Sequence, residues 1–146
     1  MSEASRDVSD AVQAYIEAND GFLSRIGCRV TRLDREGCVV SVGDAAEVRS
    51  ANTTGTVAAH GGAVATLVDT AGGLALRPHL DDPLRDTVVT ASLNVDYHEA
   101  ATDDVVARGE VERLGRSLGF SRVEVRSAGD VVATGSGCFK VLGGDR

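Results

Sequence analysis

The chain is poor in aromatic residues and in positive charge. It has three phenylalanines, two tyrosines and no tryptophan among 146 residues, and its formal net charge is −7. Nucleic-acid-binding proteins need a basic surface and, for single strands, aromatic side chains on which bases stack. The composition therefore argues against a nucleic-acid partner.

Long hydrophobic runs are also missing. The apolar stretches are far shorter than the roughly 20 residues of a membrane-spanning helix, and the N-terminus is too polar for a secretory signal. The cysteines are odd in number and lack a zinc-type spacing, which favours reduced, buried thiols. They are Cys28, Cys38 and Cys138. We therefore expect a cytoplasmic protein without a membrane partner.

Several widespread catalytic motifs are absent from the sequence. There is no Gly-x-Ser-x-Gly elbow, no Walker sequence and no dinucleotide-binding glycine pattern. The three histidines, His60, His79 and His98, do not form a metal-ligand cluster with acidic residues. We expect no metal and no separate cofactor.

What the chain does have is the length of one domain and a clear order of elements. We predict a single domain over 1–146 whose first seven residues are flexible. Apolar periodicity predicts one helix, two strands, a polar loop, a long central helix ended by Pro78, and four strands as a meander. The predicted ranges are 8–19, 28–34, 37–43, 44–59, 61–77, 87–98, 103–113, 117–127 and 130–141. The economical packing is α+β, with an antiparallel sheet of about six strands around the central helix.

The segment 87–98 has the strongest alternation in the chain. One set of side chains is apolar and the other set is polar, which predicts that they point to opposite faces of a strand. The apolar set is Val89, Ala91, Leu93, Val95 and Tyr97, and the polar set is Thr90, Ser92, Asn94, Asp96 and His98.

The segment 52–69 is the most informative for function. It places His60-Gly61-Gly62 in front of the central helix and Asp69 about two turns inside it. Free N–H groups at a helix start favour developing negative charge, and a nearby carboxylate can activate water or attack directly. This pairing suggests attack on a carbonyl group.

Other interpretations of these residues remain open. Most helical aspartates face solvent, so an ordinary exposed position is an alternative interpretation of Asp69. Small residues surround Asp69 on its face of the helix, which suggests that another backbone or a ligand approaches closely. They are Gly62, Ala65, Thr66, Gly72 and Gly73.

The polar residues around Asp69 have structural alternatives as well. His60 contacts a substrate or fixes the loop, and a lone histidine is more often structural. Thr90 orients Asp69 or holds a water, although alternation alone predicts a polar residue there. Asn52 supplies an amide contact or stabilises a turn.

Two stretches together carry a resemblance to a known family. They are Asn52…Gly55…His60-Gly61-Gly62…Asp69-Thr70-Ala71, and the strand Val89-Thr90-Ala91-Ser92-Leu93-Asn94-Val95-Asp96-Tyr97. Over about residues 20–141 the chain resembles the hotdog-fold acyl-CoA thioesterases, in particular the PaaI-like, phenylacetate-pathway group. The resemblance implies a hotdog fold, to which the helix predicted over 8–19 is an N-terminal addition, and hydrolysis of an aromatic or short-to-medium acyl-CoA.

The resemblance also implies roles for individual residues. Asp69 matches the catalytic carboxylate, acting as general base or nucleophile, and Gly61 matches the oxyanion N–H donor. Asn52 and His60 match polar residues around the thioester, and Thr90 matches a hydroxyl that positions water. Family members pair two subunits at each active site and commonly form tetramers, so Asp69 is expected to face Gly61 of a second subunit.

CoA is polyanionic, so an acidic protein needs local positive charge to bind it. Five arginines lie between 108 and 126, but interleaved glutamates favour an ordinary salt-bridged surface for most of them. Arg113 and Arg116, near the predicted turn, are the candidates for phosphate contact. Ser117 beside them and Gly62 at the helix start complete the expected CoA and substrate contacts.

Two departures from the family pattern and two rival functions accompany this prediction. The loop before His60 is about two residues longer than usual, and the usual Arg-Pro after Tyr97 is replaced by His98-Glu99-Ala100. The rival functions are a non-catalytic acyl-CoA-binding or sensing module and a hydratase or dehydratase. The spacing of Asp69 behind His-Gly-Gly favours hydrolysis.

Overall fold

The computed structural model describes residues 3–19, 21–43, 48–51 and 55–143. A six-stranded antiparallel sheet curves around one long helix, and an N-terminal helix packs against the edge of the sheet formed by its first strand. This is the α+β arrangement that the periodicity predicted.

The helices and strands follow the predicted order, and most of their ends shift by one or two residues. The prediction of a flexible terminus over 1–7 is wrong from Glu3 onward, because the first helix begins there. The helices are α1 (Glu3–Ala18), α2 (Phe22–Arg25) and α3 (Gly61–Leu76), the last followed by a 3-10 turn at Arg77–His79. The strands are β1 (Arg29–Asp34), β2 (Gly37–Val42), β3 (Arg49–Ala51), β4 (Val57–Ala59), β5 (Thr87–Tyr97), β6 (Val105–Leu114), β7 (Leu118–Ser127) and β8 (Asp130–Leu142).

The prediction of a four-stranded meander is wrong for its first strand. The order in the sheet is β1-β2-β6-β7-β8-β5, so β6, β7 and β8 form a meander but β5 pairs with β8. The segment 98–104 crosses from β5, at one edge, to β6 beside β2. Because β6 fills the open side of β2, the long β8 is left as the partner of β5.

The prediction of a continuous polar loop over 44–59 is also wrong. Within it, β3 and β4 pair as a small antiparallel ribbon separate from the main sheet. The N–H of Ala59 donates to the carbonyl of Ala101 (2.8 Å), and the N–H of His60 donates to the carbonyl of Val48 (2.6 Å). These bonds fix the chain immediately before α3, although most of the segment is polar.

The helical spacing of the sequence places Val64, Leu67, Val68, Ala71 and Ala75 on one apolar stripe of α3, and all five of these side chains are buried. Glycine lets this helix approach the sheet closely. A Cβ at Gly109 of β6 would lie 2.4 Å from the carbonyl oxygen of Ala71, a distance that no side chain can tolerate. Added Cβ atoms at Gly72 and Gly73 would meet the ring of Phe139 at 3.0 and 3.3 Å. These two glycines therefore make room for Phe139, and the interpretation that they mark a ligand approach is wrong.

Strand β5 lies at the edge of the sheet, and most of its residues are exposed. Thr90 pairs with Phe139 and Ser92 pairs with Cys138, so the intervening Ala91 has no partner in the ladder. This β-bulge reverses the alternation of the strand. As a result Thr90, from the polar set, and Tyr97, from the apolar set, both contact α3. The prediction that the two sets point to opposite faces along the whole strand is therefore wrong.

None of the helices in the described ranges combines the length and the apolar character needed to cross a membrane.

Candidate active site

Asp69 lies in the middle of α3 and is held by a side chain of β5. The hydroxyl of Thr90 donates a hydrogen bond to Oδ1 of Asp69. Asp69 is half-buried, whereas Thr90 is exposed at the open edge of the sheet. Asp69 is therefore oriented by a specific bond, rather than projecting freely into solvent. Among the described residues, none donates a hydrogen bond to its other oxygen, Oδ2.

The start of α3 is capped by the histidine that precedes it. His60 is the N-cap residue, and its Nδ1 accepts a hydrogen bond of 2.8 Å from the N–H of Gly62. This contact supports the structural interpretation of His60. Because Nδ1 is an acceptor, the neutral ring carries its proton on Nε2.

The same cap distinguishes the two glycine N–H groups. The N–H of Gly62 is engaged by His60, so it is not a free donor for the substrate contact expected of Gly62. The backbone carbonyl of His60 accepts from the N–H groups of Ala63 and Val64 (2.8 and 3.1 Å). Among the residues that the structure describes, none accepts a hydrogen bond from the N–H of Gly61. Gly61 is exposed and therefore offers a free donor at the positive end of the helix dipole.

Tyr97 is a site residue that the sequence did not reveal. Its hydroxyl donates a hydrogen bond of 2.6 Å to the carbonyl oxygen of Gly61. That carbonyl belongs to the peptide group whose N–H, on Gly62, donates to His60. The Gly61–Gly62 peptide is therefore fixed on both sides. Tyr97 belonged to the apolar set of its strand, and nothing in the alternation pointed to a polar role.

The two halves of the candidate site lie apart within one chain. Gly61 and Asp69 are eight residues apart on a straight helix, which corresponds to about 12 Å along its axis. That separation is too long for one carbonyl group to contact both. Two side chains of β5 hold these two halves separately: Tyr97 contacts Gly61, and Thr90 contacts Asp69.

The arginines predicted to contact CoA lie around the turn between β6 and β7. Arg116 and Ser117 line a groove of about 710 Å³, together with His79 and Leu142, beyond the C-terminal end of α3. Arg113 is exposed but does not line this groove. Within the described ranges neither Arg113 nor Arg116 forms a salt bridge.

The other arginines of this strand pair are held in salt bridges, as the interleaved glutamates suggested. Arg108 and Arg122 both contact Glu110, at 3.4 and 3.1 Å, and Arg126 contacts Glu124 at 2.6 Å. The free positive charge of this strand pair is therefore concentrated at its turn.

The remaining predicted residues add little to the site. Asn52 lies outside the described residues. Cys28 and Cys38 are buried, and burial raises the pKa of the Cys28 thiol to about 11, so it stays protonated at neutral pH. In the part of the chain that the structure describes, acids, cysteines and histidines form no cluster that would bind a metal ion.

Comparison with known proteins identifies the family of this chain. Residues 58–134, more than half of the chain, match the thioesterase superfamily. A protein of Halobacterium salinarum, provisionally named an esterase, is 41% identical in an alignment of 93 residues that covers 59% of this chain. The match spans 62% of that relative's length.

Solved structures give the same result for the fold. A mutant of the phenylacetic acid degradation protein PaaI from Thermus thermophilus is 30% identical, with a TM-score of 0.69, and the alignment covers 83% of this chain and 98% of that protein. A thioesterase from Haemophilus influenzae has a TM-score of 0.78 over 92% of this chain and 90% of its own, but only 18% identity, so it supports the fold alone. The chain belongs to the thioesterase superfamily, and its fold is the hotdog fold that the resemblance predicted.

The role of His60 as a helix cap can be tested by stability. We expect His60→Ala to lower the free energy of unfolding by about 1 kcal/mol because it removes the acceptor for the N–H of Gly62. His60→Asn should retain most of the stability, since asparagine is a preferred N-cap residue. Urea unfolding of the three proteins measures both effects. Equal stability of His60→Ala and wild type, or equal losses in both variants, would contradict the capping role.

Proposed function

We propose that the protein hydrolyses acyl-CoA thioesters to a free acid and CoA, in active sites shared between two subunits. The observation that carries the proposal is the pairing of an oriented carboxylate, Asp69, with a free backbone donor, Gly61, on the same helix. Membership in the thioesterase superfamily supports the reaction class. The choice of CoA as the thiol carrier follows from the resemblance to the acyl-CoA thioesterases.

The open edge of β5 supplies a way to bring the two halves together. An exposed strand of eleven residues offers unpaired backbone groups to another strand, and two-fold pairing with a second copy satisfies them. The position midway between Thr90 and Tyr97 is at Leu93 and Asn94. An antiparallel pair of β5 strands centred there places Asp69 of each copy near Gly61 of the other.

The surface of α3 beside this edge is suited to such a dimer. Ala65 and Thr66 lie between Gly61 and Asp69, are only half-buried, and are small. Small side chains permit two helix backbones to approach closely. In the proposed dimer these residues face their own copies, so the small face of the helix packs on another backbone.

The chemistry then follows from the two groups. The thioester oxygen accepts a hydrogen bond from the N–H of Gly61, which stabilises the negative charge that develops when a nucleophile adds to the carbonyl carbon. In one route Asp69 takes a proton from the attacking water, and the departing CoA sulfur recovers that proton. In the other route Asp69 attacks, expels the CoA thiolate and forms an anhydride that water hydrolyses. Both routes end with a carboxylic acid and CoA.

Thr90 and Tyr97 position these two groups in the proposed mechanism. The Thr90 hydroxyl restricts rotation of the Asp69 side chain. Tyr97 holds the carbonyl of Gly61, and with it the peptide group between Gly61 and Gly62. For the anionic end of CoA, we propose the groove that contains Arg116 and Ser117, with Arg113 adding positive charge near its rim.

The requirement for Asp69 is tested by Asp69→Asn. We expect thiol release from octanoyl-CoA and phenylacetyl-CoA to fall by at least about 100-fold, because the amide can neither take a proton nor form an anhydride. The matched control is Asp130→Asn, at the exposed first residue of β8. Circular dichroism verifies the fold of both variants. Thiol release by Asp69→Asn at the wild-type rate would refute its role, and binding without turnover by the wild type would favour a sensing module.

The Gly61 donor is tested by comparing Gly61→Pro with Gly61→Ala. Proline is favoured at the first position of a helix, and the ψ of 138° at His60 suits a residue before proline. Alanine keeps the N–H, and its Cβ would lie 3.6 Å from the ring of Tyr97, an ordinary contact. We expect kcat for Gly61→Pro to be lower than for Gly61→Ala by about 100-fold, the typical effect of one lost oxyanion donor. Equal kcat values in two folded variants would show that this N–H takes no part.

A further inference from the structure

A cavity of about 610 Å³ lies between α1, α3 and the start of β5, outside the groups already assigned to the reaction. Most of its lining is apolar and comes from α1, α2, α3, the start of β5 and the loop before β5. The apolar lining side chains include Val12, Ile16, Leu23, Leu74, Leu84 and Val88. Its size falls in the range of small-molecule sites, which is roughly 300–1,000 Å³.

The cavity is lined by close chain neighbours of Asp69 and Thr90. Thr70, which follows Asp69 on α3, lines it, and so does Val88, two residues before Thr90 on β5. Leu74, one turn further along α3, and Arg77, the first residue after this helix, also line it. The cavity therefore lies along α3 from Thr70, the residue after Asp69, toward the C-terminal end of the helix and away from Gly61.

The rim of the cavity is fixed rather than loose. Nη1 of Arg77 donates to the carbonyl oxygens of Pro83 and Asp86, at 2.9 and 3.0 Å. The carboxylate of Asp86 accepts from the N–H of Asp82 (3.2 Å). These bonds hold the loop between the 3-10 turn and β5, and this loop carries Leu84 to the mouth of the cavity.

Two large side chains at this cavity are unusually exposed. Leu84 is 55% exposed and Tyr15, on α1, is 71% exposed. An apolar ligand in the cavity would cover part of both. Such a ligand gains from desolvation of the apolar part of the lining.

We propose that this cavity binds the acyl group of the substrate and selects acyl groups whose chain or ring is apolar and larger than acetyl. The inference rests on the proposed function, because it takes Asp69 as the position of the thioester carbonyl. It assigns α1 a role in specificity, since Ala11, Val12, Tyr15 and Ile16 form one wall. An acetyl group is too short to reach that wall.

The experiment fills the cavity from α1 with Ala11→Phe. The matched control is Ala14→Phe, which adds the same side chain at an exposed position of α1 outside the lining. The kcat/KM is measured with acetyl-, octanoyl- and phenylacetyl-CoA. Binding is measured by calorimetry with the unreactive thioethers S-ethyl-CoA and S-octyl-CoA. Leu84→Ser, at the exposed rim, replaces Ala11→Phe if that variant does not fold.

We expect Ala11→Phe to lower kcat/KM for octanoyl- and phenylacetyl-CoA by at least about tenfold, while the value for acetyl-CoA changes by less than about twofold. It should also remove the preference for S-octyl-CoA over S-ethyl-CoA, and Ala14→Phe should match the wild type. Leu84→Ser should reduce the same preference.

The outcomes separate this inference from the proposed function. If the wild type releases thiol but Ala11→Phe affects all acyl groups equally, or none, the cavity assignment is overturned and hydrolysis stands. If the wild type releases no thiol but prefers S-octyl-CoA, and Ala11→Phe removes that preference, hydrolysis fails and the cavity assignment stands. If the wild type shows no preference between the two thioethers, the cavity assignment is overturned.

Discussion

The β-bulge in β5 is the constraint on which the candidate site depends. In a regular strand, residues separated by an odd number of positions point to opposite faces, and Thr90 and Tyr97 are separated in this way. The unpaired Ala91 reverses the alternation between them, so both hydroxyl groups contact α3. Without the bulge, one of these contacts would be lost, either the bond that orients Asp69 or the bond that fixes the peptide after Gly61.

The bulged strand also links the site to the assembly that we propose. Because β5 is at the edge of the sheet, the strand that holds Asp69 and supports Gly61 is also the strand open to a second copy. Close packing on the other side of α3, where Gly109 contacts Ala71 and Gly72 accommodates Phe139, fixes the helix on its own sheet. The helix is therefore a rigid support that presents both groups toward the open edge.

Sequence periodicity is sufficient to predict the order of the main helices and strands and the buried face of α3, because strong local patterns decide both. It was not sufficient for the pairing of β5, since the alternation of a strand says which face is buried but not which strand lies beside it. It also failed at Ala91, a residue with nothing to mark it as the extra one in a bulge. The small β3–β4 ribbon was missed because hydrogen bonds to distant carbonyls, and not an apolar pattern, hold it in place.

In the candidate site, too, local sequence patterns predict some features, whereas others depend on tertiary contacts. Asp69 and the His-Gly-Gly step were found because their spacing on a helix is local information. The division of labour between Gly61 and Gly62 depends on the direction of one imidazole, and the part played by Tyr97 depends on a contact between distant segments. The sequence suggested that Gly72 and Gly73 leave room for another backbone or a ligand, but tertiary packing assigns that space to the ring of Phe139.

The central claim is that each active site takes Asp69 from one subunit and Gly61 from the other, and mixed dimers test it most directly. Asp69→Asn and Gly61→Pro are unfolded together in equal amounts, refolded, and assayed for thiol release from octanoyl-CoA. Random pairing makes half of the dimers mixed, and a shared site leaves one of the two sites in each mixed dimer intact, so about a quarter of the wild-type activity should return. If each site were built within one chain, every site would carry a defect, and a mixture no more active than its two components would contradict the account.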